Sequence, residues 1–243
     1  MSKRYYMRSA GFEGSRGGLV PSDLSGLVSW HDAGMFVYTD DGITLATATQ
    51  TVQRWDDRRG NGINLLQTTA GFKPTFQVNV LNGKPAVRFA GTDDNMSAVI
   101  ADMPQPYSTV FVTKVGASAS GSKTPVGFGN STVYMNVNEQ VGYFAGSARD
   151  SAVTINDAYR LITAVFNGAS SFLRAQGATV STANPGANAS GTVLFVGSND
   201  TPAEYITGDV VEVLVYNHAL LLGSEVVELE RYLNTKYQLG ATV

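Results

Sequence analysis

Carboxylates come first, because two of them flanking a sugar-sized cleft suffice for glycoside hydrolysis, one as acid and the other as nucleophile or base. Asp209 and Glu212 stand three apart in a stretch that reads as strand, which puts them on opposite faces. Glu228 and Glu230 fall in a helical stretch and read as solvated. Only His31 and His218 could serve as the base of a nucleophile–base pair, and no Gly-x-Ser-x-Gly elbow accompanies them. A hydrogen-bonded structural histidine is the simpler account of each. Gly127-Phe-Gly-Asn-Ser-Thr132 lacks the third glycine of a dinucleotide loop and opens no helix, so it reads as a turn. The expectation is a chain that is not an enzyme.

Metal and sugar chemistry are more open. Asp40-Asp41-Gly42, Thr92-Asp93-Asp94-Asn95 and Ser198-Asn199-Asp200 are oxygen-rich loops that could hold calcium, which takes roughly six to eight oxygens. Asp93 and Asp94 are the first choice as ligands, and otherwise ordinary turn residues. The absence of cysteine removes thiolate sites and disulfides alike, and no other cofactor is expected. A sugar platform needs an exposed aromatic ring beside polar partners. Tyr134 and Tyr143 are the candidates, set against their reading as strand tyrosines that cover a sheet.

These residues must be held by short strands. Stretches beginning at Leu27, Thr51, Ile63, Pro74, Pro85, Tyr107, Val133, Gln140, Leu161, Ser171, Thr192 and Asp209 alternate or run apolar between glycine and asparagine turns. Asp209 to Asn217 reads as a central strand, with Val211, Val213 and Val215 on one face. After it, Val226, Leu229, Leu233 and Tyr237 recur at helical spacing, with Ser224 placed to cap the first turn. About a dozen strands and one helix cannot supply the crossovers of a parallel sheet. They fit an all-β, two-sheet antiparallel jelly-roll sandwich with one C-terminal helix. Residues 116–124 and 177–191 read as exposed loops. No apolar run approaches the roughly 18 residues of a membrane span.

Charge divides the chain. Residues 1–20 hold Lys3, Arg4, Arg8 and Arg16 against Glu13, a net of +3, and the remainder carries −6 of a total of −3. Residues 1–20 therefore read as an extended anchoring arm, with Tyr5, Tyr6 and Phe12 as apolar anchors and Arg4, Arg8 and Arg16 as charged contacts for a partner surface. Residues 21–243 form the domain, and its acidity disfavours nucleic acid as a partner.

Leu27-Val-Ser-Trp-His-Asp-Ala33, Trp55-Asp-Asp-Arg-Arg-Gly-Asn-Gly62 and Asn82-Gly-Lys-Pro-Ala-Val-Arg-Phe-Ala-Gly91 resemble the opening segments of laminin-G-like domains in the concanavalin A-like lectin and glucanase superfamily. Gly208-Asp-Val-Val-Glu-Val-Leu-Val-Tyr-Asn217 through Tyr232-Leu-Asn-Thr-Lys-Tyr-Gln-Leu239 is similar to their ending, and the likeness spans about residues 24–239. His218, Ala90 and Gln238 depart from the pattern, which has Arg, Asp and Gly there; loss of the Asp counts against a cation site that uses it. The Glu-x-Asp-x-Glu strand of catalytic relatives is absent. With no apolar leader at the N-terminus, the resemblance implies the form found in bacteriophage virions. The expected role is a decoration protein of capsid or tail, made in the host cytoplasm, repeated in its assembly as a homo-oligomer and docked on other virion proteins through the arm, with host surface glycans as a further contact. The rival expectation is a free carbohydrate-binding module or adhesin, and a glycoside hydrolase is a distant third.

Overall fold

The computed structural model describes residues 19–117, 121–199 and 204–243. In chain order the strands are β1 (Leu27–Asp32), β2 (Val37–Tyr38), β3 (Arg54–Trp55), β4 (Leu65–Leu66), β5 (Thr75–Leu81), β6 (Lys84–Ala90), β7 (Met96–Val99), β8 (Tyr107–Val115) and β9 (Lys123–Phe128). They continue with β10 (Thr132–Met135), β11 (Gln140–Phe144), β12 (Ala148–Thr154), β13 (Tyr159–Phe166), β14 (Phe172–Ala175), β15 (Ala178–Ser181), β16 (Val193–Val196) and β17 (Thr207–Tyr216). Helix α1 (Glu225–Tyr237) closes the series.

Two antiparallel sheets result. The first runs β15-β14-β13-β8-β17-β6-β5, with β1 also on β17; the second runs β12-β11-β10-β9-β16-β7-β4-β3-β2. The expected all-β sandwich with one C-terminal helix is therefore what the chain forms. β17 organises the first sheet because its length lets one edge serve two strands. Thr207–Val210 pairs with β6, Glu212–Tyr216 pairs with β1, and β8 lines the other edge throughout. The inward faces of the two sheets meet in a core that includes Trp55, Phe89, Phe111, Phe128, Tyr143 and Phe166. A second core lies on the outer face of the first sheet, where Val226, Leu229, Leu233 and Tyr237 of α1 cover Val110, Val112, Val211 and Leu214. Strand and helix periodicities thus each bury one stripe.

A β-bulge in β17, between Val210 and Glu212 against β8, changes the expected facing. Val210 joins Val213 and Val215 in the inter-sheet core, whereas Val211 joins Leu214 and Tyr216 beneath the helix. Asp209 and Glu212 consequently share the outer face, which corrects their assignment to opposite faces. They still form no acid pair. Asp209 is clamped by Arg88 at 2.7 and 2.9 Å and by the Tyr159 hydroxyl.

Glu212 is fully buried in a charged cluster that fastens α1 to the sheet. Lys236 Nζ donates to Glu212 Oε2 at 2.7 Å and to Asp32 Oδ2 at 2.6 Å. Trp30 Nε1 and the Tyr237 hydroxyl each donate to Glu212 at 2.6 Å. Arg58 reaches Asp32 at 3.2 Å and lies 4.0 Å above the Trp30 ring. Burial acts to lower the Lys236 pKa, but the two carboxylates overcome it and hold the ammonium above the ordinary lysine value. Burial likewise drives the Glu212 carboxyl upward, with Lys236 pulling against it.

Other expectations change at this level. Glu230 is not solvated: it is buried, and accepts from Arg174 at 2.8 and 2.9 Å and from Thr163 at 2.8 Å. Ser224 makes no side-chain cap; the Glu225 carboxylate instead turns back to accept from Leu221 N at 2.8 Å. Gln238, where related patterns carry Gly, ends the helix in the left-handed region at φ 51°. The stretch 177–191 contains the edge strand β15, and β9 begins inside 116–124.

Candidate functional site

The outer face of the second sheet bears a pocket of about 420 Å³. The alternation of side chains assembles it. In β10, Val133 and Met135 point into the core, so Thr132 and Tyr134 line the pocket. In β11, Val141 and Tyr143 point inward and Phe144 lines the pocket. The edge strand β12 adds Ala148 and Asp150, opposite Phe144 and Gly142. The register of β9 on β10 slips between Val133 and Met135, and Thr124 stands 3.3 Å from the Thr132 hydroxyl. Asn199 and Glu204 close the rim.

A glycine supplies the floor. A methyl group built at Gly142 would lie 2.6 Å from Cζ of Tyr134, so the tyrosine ring rests directly on the backbone there. From that seat its hydroxyl donates to Asp150 Oδ1 at 2.8 Å. Burial pushes the Tyr134 hydroxyl well above the ordinary tyrosine value, and the hydrogen bond to the Asp150 carboxylate adds to this. Tyr134 therefore remains protonated at neutral pH, a donor and a surface rather than a nucleophile. Across the pocket, Glu204 Oε2 accepts from Thr124 Oγ1 at 2.8 Å and from Asn199 Nδ2 at 2.6 Å. Asn136 is fixed by accepting from the backbone of Asn138 and Gln140 at 2.8 and 3.1 Å. Carboxylates, amides and hydroxyls converge beside the faces of Tyr134 and Phe144, a set suited to a polyhydroxylated ligand.

Of the residues proposed from sequence as a sugar platform, Tyr134 lines the pocket, though with only 7% of its surface exposed. Tyr143 is corrected: it is fully buried in the inter-sheet core, with its hydroxyl bonded to the carbonyl of Ala183. Two residues from Val141, it must share that residue's inward face. Asp93 and Asp94 lie elsewhere. Asp94 is buried and accepts from Ala90 N at 2.8 Å, and Asp93 accepts from the Thr92 hydroxyl at 2.8 Å. Among the described residues, no group of three or more His, Cys, Asp and Glu side chains is placed to hold a metal ion. His31 is a buried core residue bonded to the Ile63 carbonyl, and His218 sits 3.4 Å from Glu225. Arg4, Tyr5, Tyr6, Arg8, Phe12 and Arg16 lie outside the described residues.

Sequence reasoning missed Asp150, Glu204 and Thr124, and it raised Asn199 only as part of an oxygen-rich loop that could hold calcium. The sole signal for Asp150 was the weak alternation of Ala148-Arg-Asp-Ser-Ala-Val-Thr154, an edge strand with little to bury. Glu204 stands outside every strand, and no alternation in the sequence marks it.

No protein-family model matches the chain, and no curated protein matches it. Solved structures do. A Trypanosoma rangeli sialidase in complex with 2,3-difluorosialic acid, a covalent intermediate, is similar with TM-score 0.61 and 14% identity over 94% of this chain and 35% of that one. The same sialidase in complex with sialic acid gives TM-score 0.58 and 14% identity over 88% of this chain and 33% of that one. The binding domain of Paraclostridial Mosquitocidal Protein 1 gives TM-score 0.61 and 12% identity over 89% of this chain and 53% of that one. The chain thus spans about a third of the sialidases' length. At such identities the likeness is one of fold: a two-sheet β sandwich that recurs within enzymes and a toxin's binding domain. It also corrects the expectation that this chain is not an enzyme, since the neighbours include catalytic chains and the fold gives no ground for excluding catalysis.

Proposed function

We propose that this chain is a lectin-like sandwich of the laminin-G-like kind whose second sheet binds a glycan in the pocket around Tyr134. The observation that carries the reading is the convergence of Asp150, Glu204, Asn136 and Asn199 around a ring seated on Gly142, in a recess about the size of one or two sugar rings. The neighbouring toxin domain is itself described as a binding domain, and the neighbouring sialidase is seen with sialic acid, which supports a sugar-related role for the fold. Asn130 is exposed at the rim, so Asn130→Trp fills the recess without disturbing the core. On a glycan array the parent chain is expected to retain a defined set of sugars, and the variant to lose them by about tenfold or more. Equal retention by both places the sugar elsewhere.

A second reading concerns where such a module works. The net charge of +3 and the three aromatic residues in residues 1–20, against −6 in the remainder, support docking through that segment onto other proteins of a bacteriophage particle. Deleting residues 1–20 is then expected to leave a folded protein that retains its glycans and no longer joins particles, measured by co-sedimentation. Undiminished co-sedimentation of the truncated chain would remove this reading.

A further inference from the structure

The charge of the pocket narrows its ligand. Among the described lining residues the ionisable acids are Asp150 and Glu204, and no lysine, arginine or histidine lines the recess. Both carboxylates are already oriented by neutral donors: Asp150 by Tyr134 at 2.8 Å, Glu204 by Thr124 at 2.8 Å and Asn199 at 2.6 Å. Among the described residues, neither carboxylate forms an ion pair with a lysine, arginine or histidine. An anionic ligand would bring a third negative charge into a recess without a positive partner, and a desolvated charge is tolerated only when it is paired. A sugar hydroxyl, by contrast, donates to a carboxylate in the stronger, charge-assisted kind of hydrogen bond.

We infer that the pocket takes a saccharide without a carboxylate, a neutral or amine-bearing ring whose hydroxyls donate to Asp150 and Glu204, and that it turns away acidic sugars, sialic acid among them. The inference rests on the glycan reading above and specifies its ligand class. The fold is shared with a sialidase seen with sialic acid, yet among the described residues no arginine lines this recess. Discrimination here comes from like charge, an element built against the wrong ligand as much as for the right one.

The test is titration of the full chain, by saturation-transfer NMR, with galactose, N-acetylglucosamine and glucosamine on one side and glucuronic acid and N-acetylneuraminic acid on the other. At least one neutral or amino sugar is expected to bind about tenfold more tightly than either acid. Asp150→Asn, an exposed edge-strand position, and Glu204→Gln are each expected to weaken the neutral sugar and to narrow that gap. Acidic sugars that bind as tightly as neutral ones overturn the inference while the glycan reading stands. So does binding that vanishes with a chelator and returns with calcium, because the metal would then set the charge preference. Failure of every sugar, with Asn130→Trp indistinguishable from the parent, takes down the glycan reading itself.

Discussion

Lys236→Ala is expected to lower the free energy of unfolding by about 3–5 kcal/mol, the largest single-residue effect argued for this chain. The reason is what remains after the ammonium is removed. Lys236 bridges Asp32 and Glu212, which are 5% and 0% exposed, and the lysine side chain is itself only 13% exposed. Without it two buried carboxylates share one site with Arg58 near one of them. The Trp30 and Tyr237 donors still satisfy Glu212 oxygens but neutralise nothing. An exposed pair on the same helix sets the scale: Arg231 and Glu228 are each about half exposed, and Arg231→Ala is worth no more than about 1 kcal/mol. Urea unfolding measures both, read as a fall in midpoint at unchanged slope. The double change Glu212→Gln with Lys236→Met removes charge on both sides and is expected to recover part of the loss. A cost for Lys236→Ala near that of Arg231→Ala would mean that the cluster is far better solvated than its burial implies.

That cluster also explains what could be read in the sequence and what could not. Trp30, Asp32, Glu212, Lys236 and Tyr237 all belong to segments that carry the laminin-G-like resemblance, and the structure gathers them to clamp α1 onto β17 and β1. Those segments therefore report the fold and are silent about a ligand. Strands with strong apolar content begin where the sequence placed them, β8 at Tyr107 and β11 at Gln140, because burial on one or both faces dictates their composition. β12 was not, since an edge strand facing solvent needs few apolar residues. The bulge in β17 left no side-chain signature, yet it moved Asp209 and Glu212 onto one face. The pocket draws Tyr134, Phe144, Asp150 and Glu204 from separate strands and a loop, so pairing and register had to be known before their proximity could be seen. Tyr143 shows the converse: alternation from Val141 already determines its inward direction.

Acid should destabilise the protein through His31, and by an amount comparable to a core mutation. The imidazole is fully buried between the sheets, 5.8 Å from the Trp55 ring and edge-on to it. One nitrogen lies 2.9 Å from the Ile63 carbonyl, and Nδ1 has no hydrogen-bond partner among the described residues. A charged ring would need an acceptor on both sides, so burial lowers its pKa from 6.5 to about 4, with the Ile63 carbonyl opposing. The neutral form is thus the one that fits. Its contribution is fully present above the unfolded pKa of 6.5 and is lost as pH falls towards 4, by about 3 kcal/mol in all. Buried carboxyls work the other way: burial raises Asp57, Asp94 and Glu212, so the protons they take up as pH falls favour the folded state. The histidine's share therefore has to be isolated by difference. His31→Gln keeps a donor for the Ile63 carbonyl and cannot take up a proton. Relative to this variant, the parent chain should lose stability progressively from pH 6.5 to 4 in urea unfolding. Parallel pH profiles for the two proteins would show that the ring is charged, or reached by water, in the folded state.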